Sequence, residues 1–162
     1  MILGMSLPTF TVFHVILSLI DIAAGLVVVL GMLGARRLPG WTALFLVMTI
    51  ATSVTGFMFP FTKFGGPHAF GVISLVLLTF SLLALYVYKL AGKWRWIYVV
   101  TALFALYLNS FVGIVQTFQK VAFFHQFAPL GSEPPFAVAQ GLLLIAFIAL
   151  GVRAVKKFHP VG

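Results

Sequence analysis

Five apolar stretches, at 12–34, 41–61, 68–88, 96–119 and 134–152, divide this chain. Each is close to the roughly 20 residues that a helix needs to cross a bilayer. Inside lipid a backbone must satisfy its own N–H and C=O groups, so stretches of this length and polarity read as helices. The expected fold is therefore all-α: an integral membrane helical bundle of five transmembrane helices, forming one domain over residues 1–162. The fifth stretch is the shortest, and Pro134 and Pro135 at its start fit only a first helical turn. Four spans followed by a re-entrant segment is the fallback architecture. No basic residue precedes Val12, so the first span reads as retained in the membrane and not as a cleavable leader.

Composition excludes several classes of function. With 62% hydrophobic and 7% charged residues, the surface of a soluble domain cannot be covered. The net charge of +8 comes from Lys and Arg scattered between apolar runs, which is not the single basic face of a nucleic-acid binder. There are no cysteines, so disulfides, Fe–S clusters and thiol chemistry are excluded. No H-E-x-x-H, phosphate-cradling glycine loop or G-x-S-x-G is present, and the reading leans away from an enzyme, with no catalytic residues and no metal ligands assigned.

Charge then orients the bundle. Arg36 and Arg37 lie between spans 1 and 2, Lys89, Lys93 and Arg95 between spans 3 and 4, and Arg153, Lys156 and Lys157 after span 5; only Lys63 and Lys120 fall on the other side. Basic residues accumulate on the cytoplasmic side, which puts the N-terminus outside and the C-terminus in the cytoplasm. On that orientation the polar residues gather in the outer half. His14 lies near the outer surface and Asp21 ~10 Å deeper, at a rise of ~1.5 Å per residue.

Helical spacing groups these residues into faces. His14, Ser18, Asp21 and Gly25 share one, Asn109, Gly113, Gln116 and Lys120 a second, and His68, Gly71, Ser74, Leu78 and Ser81 a third. Polar atoms facing lipid are costly, so the faces are expected to meet as a buried polar cluster of Ser18, Asp21, Asn109, Gln116 and Gln140. An ionised Asp at mid-depth would cost about 2.5–3.5 kcal/mol, so Asp21 is expected to be protonated, hydrogen-bonded or open to water. In the last outer loop Ser132 reads as the N-cap of the fifth helix and Glu133 as a complement to its dipole, with Lys63, Lys120 and His125 as candidate partners. The aromatic stretch before them reads as a short interfacial segment.

The stretches FPF (59–61), WRWIY (94–98), ALYLN (105–109), QTFQK (116–120) and SEPPF (132–136) resemble a family of small, uncharacterised polytopic bacterial inner-membrane proteins. The similarity extends from FHV around His14 to the fifth span. It implies a bacterial cytoplasmic membrane and carries over no functional residues. Three functional readings follow. The first is a non-enzymatic accessory, scaffold or interaction subunit whose partners are the lipid bilayer and a larger membrane complex or a second copy, with no cofactor. The second is a cofactor-binding electron-transfer protein, holding haem b between His14 and His68 or a quinone against His14, His68, Asn109 and Gln116. The third is proton or metal transport through Asp21.

Overall fold

The computed structural model describes residues 1–160, so the C-terminal Gly162 falls outside the described residues. Five long helices, α1 (Leu7–Leu33), α2 (Pro39–Phe57), α3 (Gly66–Leu82), α4 (Trp94–Lys120) and α6 (Pro134–Lys157), form the bundle, and a one-turn helix, α5 (Ala122–His125), joins the last two. All five are long and apolar enough to span a membrane. The fallback of a re-entrant last segment is not what the fold contains, because α6 is continuous over 24 residues, or about 36 Å.

The helix ends depart from the hydropathy boundaries for identifiable reasons. The first helix starts at Leu7, ahead of the apolar run, because the Ser6 hydroxyl accepts the Thr9 N–H and Pro8 falls in the first turn. The second stops at Phe57, short of residue 61. Pro60 has no N–H to give and its ring would clash with the preceding turn, so the FPF stretch lies outside the helix. The third widens into a π-helical turn over Leu83–Val87, where the Tyr88 N–H reaches back to Leu83 O. Lys89 and Leu90 follow with φ of 49° and 61°, a left-handed conformation that costs non-glycine residues about 1–3 kcal/mol each.

The fourth helix is the hub, packing against α1, α2, α3 and α6. Its Val99, Ala102, Leu103 and Leu106 are buried, facing Ala24 and Val28 of α1, Phe45 and Leu46 of α2 and Leu78 of α3 in one core. Gly25 of α1 permits the closest approach: a Cβ there would stand 2.6 Å from Leu106 Cδ1 and 3.0 Å from Phe45 Cδ2. The last helix lies on the outside of the bundle against α4 and α1 and buries only Gln140 and Ala154. Its C-terminal end is clasped by Arg95, whose Nη1 donates to Val155 O at 2.7 Å and Phe158 O at 2.9 Å.

The expected N-cap of α6 is one residue off. Glu133, not Ser132, occupies that position, with φ −74° and ψ 160°. The next two residues are prolines without N–H groups, and the Phe136 N–H that follows them is given to the Glu133 backbone carbonyl. The carboxylate turns back and accepts the N–H groups of Leu130 at 2.9 Å and Ser132 at 3.0 Å. These backbone donors, Leu130 first, hold the Glu133 carboxyl below the usual carboxylate range. The aromatic stretch before it contains the one-turn helix α5, with Phe123, Phe124 and Phe127 exposed around it.

Candidate functional site

The polar faces of α1 and α4 do meet, and α2 completes the site. Ser18 Oγ donates to Asn109 Oδ1 at 2.9 Å, and Asn109 Nδ2 donates to Asp21 Oδ2. Asp21 Oδ1 lies 2.5 Å from Thr49 Oγ1. Asp21 is fully buried and Thr49 is 2% exposed, so the chain Ser18–Asn109–Asp21–Thr49 ties three helices together away from lipid. Asp21 and Asn109 stand about halfway along helices that run in opposite directions, which is why their depths match.

Threonine supplies a common rule for the polar contacts. A hydroxyl has one proton, and inside a helix in lipid it is given to the carbonyl one turn back. Thr49 donates to Phe45 O, Thr55 to Ala51 O and Thr101 to Ile97 O, each at 2.7 Å. Each hydroxyl also meets a polar group of a neighbouring helix, and where that group is a neutral imidazole or another hydroxyl the neighbour is the donor. The neighbours are Asp21 Oδ1 at 2.5 Å, His14 Nδ1 at 2.7 Å and Ser81 Oγ at 2.7 Å. Asp21 thus meets the Thr49 hydroxyl through Oδ1 and accepts from Asn109 on Oδ2. Both oxygens of the carboxyl then have a partner, as buried polar atoms require.

The two histidines sit in different settings. His14 donates from Nδ1 to Thr55, lies edge-on to the Phe59 ring at 5.2 Å between centroids, and keeps Nε2 as a lone pair. His68 caps α3: its Nδ1 accepts the Gly65 N–H at 3.2 Å, which places the ring proton on Nε2. Phe57, Phe61 and Phe64 surround its ring. The pair thus holds opposite tautomers, whereas bis-histidine ligation of a haem needs a free nitrogen lone pair on both rings.

The remaining polar residues stand apart from the network. Gln140 Nε2 donates to Phe111 O at 3.1 Å, joining α6 to α4, while its Oε1 is buried without a partner. Gln116 Oε1 and Thr52 Oγ1 are likewise buried and unpartnered. Such atoms call for ordered water or a small ligand. Among the described residues no group of three or more His, Asp or Glu is arranged to hold a metal ion.

Reading the sequence by spacing found Ser18, Asp21 and Asn109 but did not pair Thr49 with Asp21 or Thr55 with His14. Thr49 and Thr55 belong to a Thr/Ser-rich face of α2 in which no single residue is distinguished by spacing. In comparisons with known proteins, no family model, curated protein or solved structure matches the chain.

Proposed function

We propose that the chain is a non-enzymatic accessory or scaffold subunit of a bacterial cytoplasmic membrane, with its N-terminus outside and its C-terminus in the cytoplasm. One observation carries this reading: the best-placed polar side chains of the bundle saturate one another. Ser18, Asn109, Asp21 and Thr49 form a closed series of hydrogen bonds, and such a series locks helix packing without presenting a reactive group. The peripheral α6 supports it, since Leu142, Ile145, Ile148 and Val152 form an exposed apolar flank on which a neighbouring transmembrane helix can lie.

The orientation rests on charge. The structure brings the 1–2 loop, the 3–4 loop and the C-terminal tail to one end of the bundle, where Arg37, Lys89, Arg95 and His159 line a common cleft. Reporter fusions after Gly40, Gly66, Gly92, Gly131 and Gly162 are expected to read inside, outside, inside, outside and inside. An outside signal at Gly162 would end this orientation.

A quinone is the second reading, and the unpartnered oxygens of Gln116 and Gln140 favour it, because a quinol hydroxyl could donate to either. Gentle extraction from native membranes separates the two readings. A scaffold subunit migrates in an assembly well above its own 17.7 kDa plus detergent, and yields neither a haem absorbance band nor stoichiometric quinone in solvent extracts. A monomeric particle carrying one quinone per chain would overturn the scaffold reading.

A further inference from the structure

We propose that the cleft lined by Arg37, Lys89, Arg95 and His159 is a binding site for a phosphate group at the membrane surface. The argument starts from charge balance. The chain has only two acidic residues. Asp21 is sealed in the middle of the bundle by Thr49 and Asn109, and Glu133 is held by loop N–H groups at the opposite end. Among the described residues, the eight Lys and Arg of the basic end therefore have no Asp or Glu carboxylate within reach.

Three of these cations converge, Arg37 from one loop and Lys89 and Arg95 from either side of a second. Arg37 comes from the α1–α2 loop, Lys89 from the turn after the π segment and Arg95 from the first turn of α4, with His159 and Pro160 closing the wall from the tail. The cavity measures about 340 Å³, ample for a phosphate with its attached ester group and several waters. Guanidinium groups match the paired oxygens of a phosphate, and the Lys89 ammonium adds a point charge.

The backbone around the cleft is built in an uncommon way. Lys89 and Leu90, both cleft residues, hold left-handed φ angles without being glycine, directly after a π-helical turn. The Leu90 N–H bonded to Ala84 O at 2.8 Å fixes that turn and with it the position of Lys89. Arg95 is fixed as well: its Nη1 is bound to the Val155 and Phe158 carbonyls, which ties the tail bearing His159 to the same cleft. Non-glycine left-handed residues that persist in a structure tend to mark functional positions.

Two sources offer the same chemistry: the phosphodiester of an anionic lipid headgroup, or a soluble phosphate from the aqueous side. Both are tested on the purified full-length chain in a zwitterionic detergent, by thermal unfolding and calorimetric titration. The probes are short-chain phosphatidylglycerol, short-chain phosphatidylcholine and inorganic phosphate.

Saturable binding of phosphatidylglycerol, about tenfold or more weaker in the double variant Arg37→Gln/Lys89→Gln, is the expected result. Lys156→Gln/Lys157→Gln removes the same charge outside the cleft lining and should leave affinity within twofold. Binding by phosphatidylglycerol but not inorganic phosphate assigns the lipid. Equal saturable binding by inorganic phosphate, with the same variant pattern, assigns a soluble phosphate to the same site. Equal losses in the two double variants, or non-saturable uptake of every anion, would show diffuse charge attraction and overturn the site. Arg95 is left unaltered because its hydrogen bonds also hold α6.

Discussion

Gly25→Leu is expected to be the most damaging single substitution in the bundle, costing more than about 3 kcal/mol and leaving little correctly assembled protein. Inserting bulk into a packed core costs about 1–3 kcal/mol where neighbours can yield, and more where they cannot. Here even the first added carbon would lie 2.6 Å from Leu106 Cδ1 and 3.0 Å from Phe45 Cδ2. Leu106 and Phe45 are each 1% exposed, so the space behind them is too closely filled to take a whole leucine side chain. The helices would have to separate, which also pulls Asp21, one turn away on α1, from Thr49 and Asn109. Gly25→Ala should show the graded form of the effect, because a single methyl group can be accommodated by a small rotation of the Leu106 side chain.

The double variant Gly25→Ala/Leu106→Val tests the cause. Shortening Leu106 removes the atom that meets the new methyl, so the pair should be more stable than the sum of its single changes by about 1 kcal/mol or more. Reversible unfolding in mixed micelles gives each value. Strict additivity would mean that Gly25 acts through helix propensity and not through contact with α4. A comparison with Gly113 provides the control. A Cβ at that position would meet only Ile22 Cδ1, at the ordinary distance of 3.7 Å, so Gly113→Ala should be close to neutral.

Much of this arrangement was legible before the fold was known. The five spans follow from the length of apolar runs, which lipid enforces so strongly that little else competes. The meeting of Asp21 with Asn109 was legible too, because each lies midway along its helix on a face with other polar residues. The helix ends were less so. Hydropathy continues through Phe59, Pro60 and Phe61, while the helix stops where proline removes a donor. It begins only at Val12, while the cap at Ser6 starts the helix earlier.

The pairing of Thr49 with Asp21 was not legible, for a chemical reason. Threonine is tolerated almost anywhere in an apolar helix because its proton goes to its own backbone, so its presence announces nothing about its lone pair. The basic cleft escaped for a geometric one. Arg37, Lys89 and Arg95 could be counted as charges on one side, but their convergence depends on the π turn and the left-handed Lys89 and Leu90, for which the sequence there carries no glycine signal.

The Asp21 substitutions are expected to have the next largest effect, and they separate a structural carboxyl from a working one. Asp21→Leu removes two hydrogen bonds, those with Asn109 and with Thr49. Intramembrane hydrogen bonds average about 0.6 kcal/mol and reach about 1.7, so the expected loss is about 1–3 kcal/mol. Part of that loss comes from Asn109, whose Nδ2 is left without its acceptor beside the core.

Asp21→Asn should behave otherwise. The amide oxygen can accept from Asn109, and the amide N–H can donate to the Thr49 lone pair, which reproduces the bonding of a protonated acid atom for atom. Its stability should therefore lie within about 0.5 kcal/mol of the parent, by the size of a single intramembrane hydrogen bond that is exchanged and not lost. Thr49→Val supplies the third corner, since it keeps the shape of Thr49 and deletes the acceptor. If Asp21 donates to Thr49, Thr49→Val destabilises the parent by about 0.6–1.7 kcal/mol and costs Asp21→Leu almost nothing further. A carboxylate that must ionise to act gives a different pattern. Asp21→Asn would then abolish a proton-dependent flux in reconstituted vesicles while leaving the unfolding midpoint unchanged, and the hydrogen-bond role would give way to transport.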